Sequence, residues 1–386
     1  MLTVQEYHHQ AQRTDQLADA DPDFTFPLLG VFGEVGSLLS EVKKKLRDPI
    51  SYIGYEASVL EEFGDVLWYI GALAARAKIS LEYLAANVVS NGLSLHGADY
   101  SALTFQDLSV ATSEAGTPDK PSARFERTLI RLAAEIGLLM VDFDAGRLDK
   151  NRLALAGRLV SVLRTLRDAA GDAGITLEEA ARANITKIKD RWPDERIYPE
   201  PFDSSFPDHE RFDRVMVFEL REVSREGILA SSMSMNGVQI GDPLTDNRQD
   251  DDDYRFHDVF HMAYAAVMGW SPTLRRLLKR KRKSVPIVDE TEDGARAILI
   301  EEGIATWTFN HAQRLEFFKG VEALDYSMLK TVKEFVSGYE VYDCPLWCWE
   351  EAILQGYEAF RGMRANRSGR LTVNLDQRRL RYEPLT

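Results

Sequence analysis

Four acidic side chains at helical spacing are the residues of this sequence best suited to do chemistry. Glu34 and Glu41 are seven residues apart, which is two helical turns, so they share one helix face. Glu62 and Asp65 are three residues apart and also share a face. Each pair lies beside an apolar stripe, where carboxylates repel one another unless a cation binds them. Oxygen ligands suit Mg²⁺, which keeps positions open for water and phosphate oxygens. The spacing therefore predicts a Mg²⁺ site, and solvent-facing acids on surface helices are the alternative.

Two amphipathic helices must position these acids. Apolar residues recur at the ~3.6-residue period of an α-helix over residues 26–46 and again over residues 57–77. Pro49 ends the first helix, and Ser80 begins a third as its N-cap. Gly64 in the second helix, like Gly36 in the first, would let the helices approach closely.

The same outline of three helices occurs a second time. Residues 28–88 and 129–184 share the order of helix, breaker, helix, cap and third helix, which predicts a duplication. Arg158 and Ser161 stand in the second copy where the first has Glu62 and Asp65, so the second copy has lost these acids. Chance similarity between amphipathic helices is the alternative, and the shared order favours duplication.

Two segments of the first copy carry a family resemblance. GEVGSLLSEVKK (33–44) followed by EEFGDVLWYIGAL (61–73) resembles the MazG-type, all-α nucleoside triphosphate pyrophosphohydrolases. The signature of that family is ExxE on one helix and ExxD on the next. The resemblance implies Mg²⁺-dependent cleavage of an NTP or dNTP into a monophosphate and pyrophosphate.

The resemblance assigns roles to individual acids. Glu34 matches the first acid of ExxE, and Glu62 and Asp65 match ExxD, so all three are expected to be metal ligands and catalytic residues. The second acid of ExxE falls on Ser37, which is not a carboxylate. We therefore expect either that Glu41 replaces it as a ligand or that activity is weak or lost.

The end of the second copy matches another part of the family pattern. Asn184, Lys187 and Arg191 resemble the NxxK…R ending, whose amide and cations contact the nucleotide. The first copy ends on Asn87 and Ser90 and has no such lysine. We therefore expect an internal pseudo-dimer with one composite site, in which the helix ending at Lys187 runs beside the ExxD helix. Ordinary last-turn cations that complement a helix dipole are the alternative.

The sequence changes character after a proline-rich stretch near residue 200. Residues 214–223 alternate as a strand does, and Asn236 with Gly237 predicts a hairpin. Residues 370–384 predict one last strand. The fold class is therefore mainly α, with a duplicated MazG-like bundle followed by an α+β domain that has a small antiparallel sheet. The predicted domains are a MazG-like domain with the acidic metal site (1–112), a degenerate second copy (124–197) and a C-terminal domain of unknown role (208–386), with a linker over 93–123.

A histidine pair in the C-terminal region has metal-ligand spacing. His257 and His261 are four residues apart on one helix face, and neutral imidazoles so placed can share a transition metal. Glu301, Glu302 and His311 on a later helix are further candidate ligands. Packing or hydrogen bonding of the two histidines is the alternative.

The run of residues 275–283 is the strong positive cluster of an acidic chain. It is a candidate contact for phosphates or nucleic acid. It could equally pair with Glu290, Glu292 and Asp293, or with the acidic run 250–253.

Composition limits the function classes. The chain has 386 residues and a net charge of −14, which argues against electrostatic binding of nucleic acid or an anionic membrane by the surface as a whole. Cys344 and Cys348 are too few for a disulfide framework or a four-thiolate zinc site. No apolar run reaches the length of a membrane span and the first residues do not resemble a signal peptide, so we expect a cytoplasmic protein without a membrane partner.

These features together predict an Mg²⁺-dependent nucleoside triphosphate pyrophosphohydrolase, with an NTP as its substrate and Mn²⁺ as an alternative cofactor. One alternative is a catalytically weak nucleotide-sensing module coupled to a C-terminal effector domain, which Ser37 favours. Another is a metal-dependent hydrolase that uses His257 and His261. A homo-oligomer is a further expectation.

Overall fold

The computed structural model describes residues 1–17, 23–90, 100–110, 120–148, 151–225 and 227–385. Within these residues the chain forms thirteen α-helices and one five-stranded antiparallel sheet. The fold is mainly α with a small sheet, as the sequence predicts. The chain divides into two compact units, Met1–Pro193 and Asp194–Thr386. The finer domain boundaries given above stay a prediction.

The helices of the first unit follow the predicted pattern closely. They are α1 (Val4–Gln12), α2 (Thr25–Arg47), α3 (Tyr55–Arg76), α4 (Leu81–Ser90), α5 (Ala123–Asp144), α6 (Arg152–Asp172) and α7 (Leu177–Arg191). The capping residues explain several of the boundaries. Ser122 and Thr176 each accept a backbone N–H of the first turn of α5 and α7, which satisfies a donor that has no partner within the helix.

The two predicted copies pack as an internal pseudo-dimer. Helix α2 packs on α3, and α5 packs on α6 in the same way. Helix α3 also contacts α7, while α6 contacts α4, so the third helix of each copy lies against the second helix of the other. Side chains from all seven helices form a single hydrophobic core. The copies therefore share one core, and the exchange of third helices brings α7 to the acids of α3.

Part of the predicted linker is packed against this bundle. A 3₁₀ turn at Phe105–Leu108 buries both of its end residues. The ring of Phe105 meets Tyr7 of α1 edge-on at 5.5 Å, and the backbone N–H of Val4 donates to Leu103. This part of the predicted linker is packed because its apolar side chains have a surface to bury against. Residues 91–99 and 111–119 of that segment lie outside the described residues.

The sheet of the second unit has the strand order β3-β2-β1-β4-β5. Its strands are β1 (Val215–Arg225), β2 (Ile228–Met235), β3 (Val238–Leu244), β4 (Ser368–Asn374) and β5 (Arg379–Glu383). The predicted first strand and hairpin are confirmed, with Asn236 and Gly237 at φ of 51° and 76° in the turn. The predicted single last strand is wrong, because residues 375–378 reverse the chain and let β5 pair with β4.

Six helices complete the described part of the second unit. They are α8 (Asp258–Met268), α9 (Pro272–Leu277), α10 (Pro286–Thr291), α11 (Ala295–Ala312), α12 (Tyr326–Phe335) and α13 (Leu346–Asn366). Helix α8 is buried along its whole length, against α13, β4 and β5 on one side and α11 on another. The free cysteines Cys344 and Cys348 are part of this core, as expected.

Candidate metal and nucleotide site

Three of the predicted acids converge between α2 and α3. Glu34 of α2 and Glu62 and Asp65 of α3 each offer a carboxylate oxygen, and these atoms lie within 4.8 Å of one another. All three side chains are half-buried. A single divalent cation can therefore contact all three without a change of helix packing.

The pKa values in this cluster show the repulsion that a cation would relieve. Burial, together with a hydrogen bond from the adjacent Glu34 and the charge of Glu34, raises the pKa of Glu62 to about 8. Burial also raises the pKa of Asp65 to about 6, although the ammonium group of Lys187 opposes that rise. The cluster thus retains a proton near neutral pH that a bound cation would displace.

Helix α7 of the second copy supplies the complementary groups. The Nζ atom of Lys187 lies 2.5 Å from Oδ2 of Asp65 and 2.9 Å from Oε1 of Glu61. The amide of Asn184 donates to Oδ1 of Asp65 over 3.0 Å. The expectation that the helix ending at Lys187 runs beside the ExxD helix is confirmed.

Gly64 makes this approach of α3 and α7 possible. A β-carbon at Gly64 would lie 2.8 Å from the carbonyl oxygen of Ala180 and 2.9 Å from Cβ of Asn184. At Gly36 the same added atom would meet nothing within 4 Å. The expected role in close helix packing is therefore confirmed for Gly64 and wrong for Gly36.

Two residues of the site escape the sequence reasoning. The buried hydroxyl of Tyr7 donates to Oδ1 of Asn184 over 3.0 Å, which orients the amide so that its NH₂ group faces Asp65. Glu61 shares Lys187 with Asp65. The spacing of Glu61 and Asp65, one helical turn, could have indicated Glu61, whereas only packing brings α1 and Tyr7 to this site.

The structure does not bring Glu41 to the cluster. Its buried carboxylate accepts hydrogen bonds from Lys44, at 2.6 Å, and from the hydroxyl of Tyr52. Seven residues along a helix correspond to a rise of about 10.5 Å, which separates Glu41 from an ion held beside Glu34. Glu41 therefore does not lie where it could replace the missing acid as a metal ligand.

Arg191, the third predicted nucleotide contact, lies at the end of α7. Its guanidinium lies over the ring of Trp192, 4.5 Å from the centroid.

The corresponding position in the second copy lacks the acidic pair of the first copy. Ser161 donates to Glu135, the counterpart of Glu34, over 2.9 Å. Arg158 forms an ion pair with Asp142. Ser161 therefore occupies the position of Asp65 and donates to the remaining acid, while the second copy contributes Lys187 and Asn184 to the acids of the first copy.

The positive run of the second unit is largely engaged in internal ion pairs. Arg275 and Arg282 are each 1% exposed and pair with Asp203 and Asp293. The run also pairs Arg282 with Glu340, Arg280 with Asp213 and Lys281 with Asp289. Internal pairing is thus what the structure shows, and a nucleic-acid contact through this run stays an untested prediction.

Comparisons with known proteins bear on the second unit. Residues 197–386 match the family model of the MazG C-terminal domain. No curated protein and no solved structure matched the chain. Among the described helices, none has the length and apolar character needed to cross a membrane. The second unit contains a MazG C-terminal domain, and this match supports membership of the MazG-type family.

Proposed function

We propose that this protein is an Mg²⁺-dependent nucleoside triphosphate pyrophosphohydrolase that releases pyrophosphate and a nucleoside monophosphate. The observation that carries the proposal is the meeting of the acids of the first copy with Lys187 and Asn184 of the second. Acids alone would suit many cations. An ammonium group and an amide beside them suit a ligand that brings both a metal and phosphate oxygens.

The residues present fit Mg²⁺. Glu34, Glu62 and Asp65 would hold the ion through oxygen atoms, and Oε2 of Glu62 is buried without a hydrogen-bond partner among the described residues. A buried carboxylate oxygen in that state indicates a missing ligand. Bound Mg²⁺ would neutralise phosphate charge and lower the pKa of a coordinated water.

Lys187 has a second position available to it. Its ammonium group pairs with Asp65 and Glu61, but the side chain is 24% exposed and has several rotatable bonds. When a cation binds Asp65, it offsets the negative charge of that carboxylate, so the attraction between Asp65 and Lys187 weakens. The ammonium group can then offset charge on the phosphates, while Tyr7 keeps Asn184 directed at Asp65.

Attack of a water molecule on a phosphoryl group breaks one phosphoanhydride bond, and pyrophosphate leaves. The protein contributes the placement of both reactants and the positive charge that offsets the charge of the leaving group.

A nucleotide-binding module with little turnover is the second candidate function. Ser37 occupies the position of a metal ligand, and Glu41 is bound to Lys44 and Tyr52. Three acids rather than four then hold the ion. Such a site can still bind a metal–nucleotide complex, but one ligand fewer holds the ion in place during the reaction.

One experiment separates the two candidates. The full chain is incubated with each NTP and dNTP and Mg²⁺, pyrophosphate is measured directly, and nucleotide binding is measured in parallel. We expect pyrophosphate release that Asp65→Asn abolishes and the exposed control Asp144→Asn preserves. Binding without pyrophosphate release for every nucleotide would favour the second candidate. Wild-type turnover in a folded Asp65→Asn variant would contradict the site.

A further inference from the structure

A second group of potential metal ligands lies in the other unit. His257 and His261 flank the start of α8, Glu302 comes from α11, and each offers one ligand atom within 4.8 Å of the others. The Nε2 atom of His257 lies 3.5 Å from one oxygen of Glu302, and Nε2 of His261 lies 3.3 Å from the other. The predicted candidate His311 is not in this group and packs on Trp307 instead.

The far nitrogens of both rings face acceptors. Nδ1 of His257 lies 2.9 Å from the carbonyl oxygen of Tyr254, and Nδ1 of His261 lies 2.9 Å from Oε1 of Glu301. Ligating histidines in proteins receive this kind of support on the nitrogen that does not bind the metal. Each ring then presents the lone pair of Nε2 toward Glu302.

The group also contains a buried nitrogen that the protein leaves without a hydrogen bond. His261 is 1% exposed, and its Nε2, which lies 3.3 Å from Glu302, makes no hydrogen bond within the described residues. Oε2 of the fully buried Glu301 accepts the backbone N–H of Thr273, which holds Glu301 beside the other ring nitrogen. An unsatisfied buried polar atom destabilises a fold by about 1–3 kcal/mol, so this nitrogen indicates a missing ligand.

Surrounding contacts hold the ligands in place. The ring of Tyr254 stacks on His257 with centroids 4.3 Å apart, and its hydroxyl lies 2.8 Å from Oγ1 of Thr306 on α11. One residue therefore links the first histidine to the helix that carries Glu302. The side chain of Glu302 remains 35% exposed, which leaves one side of the group open to solvent.

We propose that His257, His261 and Glu302 bind a divalent transition-metal ion such as zinc, manganese or iron. Two imidazole nitrogens with one carboxylate favour such ions, whereas Mg²⁺ and Ca²⁺ prefer sites made of oxygen. Three protein ligands leave positions for water or a substrate, as in catalytic rather than structural sites. Its ligands all belong to the second unit, so this site does not depend on the Mg²⁺ site proposed for the first unit.

The test measures metal in the full chain. Chelator-treated protein is loaded with Zn²⁺ or Mn²⁺ in the presence of excess Mg²⁺, dialysed, and assayed for bound metal by mass spectrometry. We expect about one equivalent of transition metal per chain, its loss in Glu302→Gln and His257→Gln, and its retention in His209→Gln, whose side chain is 79% exposed. Retention in Asp65→Asn would show that the metal is not held by the acids of the first unit. Wild-type protein without transition metal, or full metal content in Glu302→Gln and His257→Gln, would overturn the proposal.

Cobalt gives a readout that does not depend on any variant folding. Co²⁺ bound by imidazole and carboxylate in a site of low coordination number has strong visible absorption, whereas hydrated Co²⁺ absorbs weakly. We expect the wild-type chain to produce the strong bands and Zn²⁺ to remove them in competition. A spectrum identical to hydrated Co²⁺ would contradict the site, even if the His257 variant were misfolded.

Discussion

Gly64→Ala tests the idea that close contact between the two copies builds the site. The added methyl group would lie 2.8 Å from a backbone oxygen and 2.9 Å from Cβ of Asn184, where ordinary contacts begin near 3.4 Å. Helix α7 would have to move by roughly half an ångström or more to remove the overlap. Neither contacting group is the flexible end of a side chain, so the movement must involve the helix backbone.

Two opposing contributions set the magnitude. Alanine is a better helix former than glycine by about 0.5–1 kcal/mol in a helix interior. Overpacking in a well-packed contact costs about 1–3 kcal/mol. We therefore expect Gly64→Ala to lower the free energy of unfolding of the first unit by about 1–2 kcal/mol. Gly36→Ala is the matched control, because alanine improves the helix there in the same way and its methyl group would contact no other atom. We expect Gly36→Ala to raise the free energy of unfolding by about 0.5–1 kcal/mol.

Hydrogen exchange is the appropriate assay, because a chain of two units need not unfold in a single transition. Peptides from α3 and α7 should exchange faster in Gly64→Ala than in wild type, and peptides from α8 and α13 should not change. Displacement of Asn184 and Lys187 should also raise the KM for nucleotide. If the amides of α3 and α7 exchange as slowly in Gly64→Ala as in Gly36→Ala, the two copies are not as close at Gly64 as the structure indicates.

Three further predictions concern the charges of the site. Because the pKa of Glu62 is raised from 4.5 to about 8, the folded state holds its proton more tightly than the unfolded chain, so this contribution to stability is present at acid pH and is lost as pH rises from about 5 to 8. Unfolding measured across this range without metal should show that loss, and Mg²⁺ or Glu62→Gln should reduce it. Lys187→Met should raise KM more than it lowers kcat, because phosphates would contact the lysine before and during the reaction. The control Lys189→Met, at an exposed position two residues away, should change neither KM nor kcat. Ser37→Glu should tighten Mg²⁺ binding and raise turnover if three acids limit the site, and unchanged Mg²⁺ affinity would show that this position does not face the ion.

Short-range patterns account for the parts of this protein that sequence predicts well. The apolar period of α2 and α3 and the breaker after α2 depend on neighbours within a few residues. The shared face of Glu62 and Asp65 follows from helix geometry alone. The turn at Asn236 and Gly237 follows from the backbone conformations that those two residues tolerate.

The same local rules misjudge charges whose partners come from elsewhere. Helix geometry places Glu41 on the same face as Glu34, but the carboxylate of Glu41 accepts hydrogen bonds from Tyr52 and Lys44 and lies away from the other acids. For the positive run, the predicted pairing with Asp293 is found at Arg282, whereas Arg275 is buried against Asp203, 72 residues away, which sequence did not indicate.

The composition of both candidate sites is a tertiary property. Sequence determined that α3 carries an acidic pair and α7 an amide and a lysine, because a helix face depends only on spacing. It did not determine that Asp65 contacts Asn184, 119 residues away, and Lys187, 122 residues away. Those contacts depend on the packing of the third helix of the second copy against the second helix of the first, and on the space that Gly64 leaves. In the second unit, spacing placed His257 and His261 on one face, and only the packing of α11 against α8 decided that Glu301 and Glu302 lie opposite them.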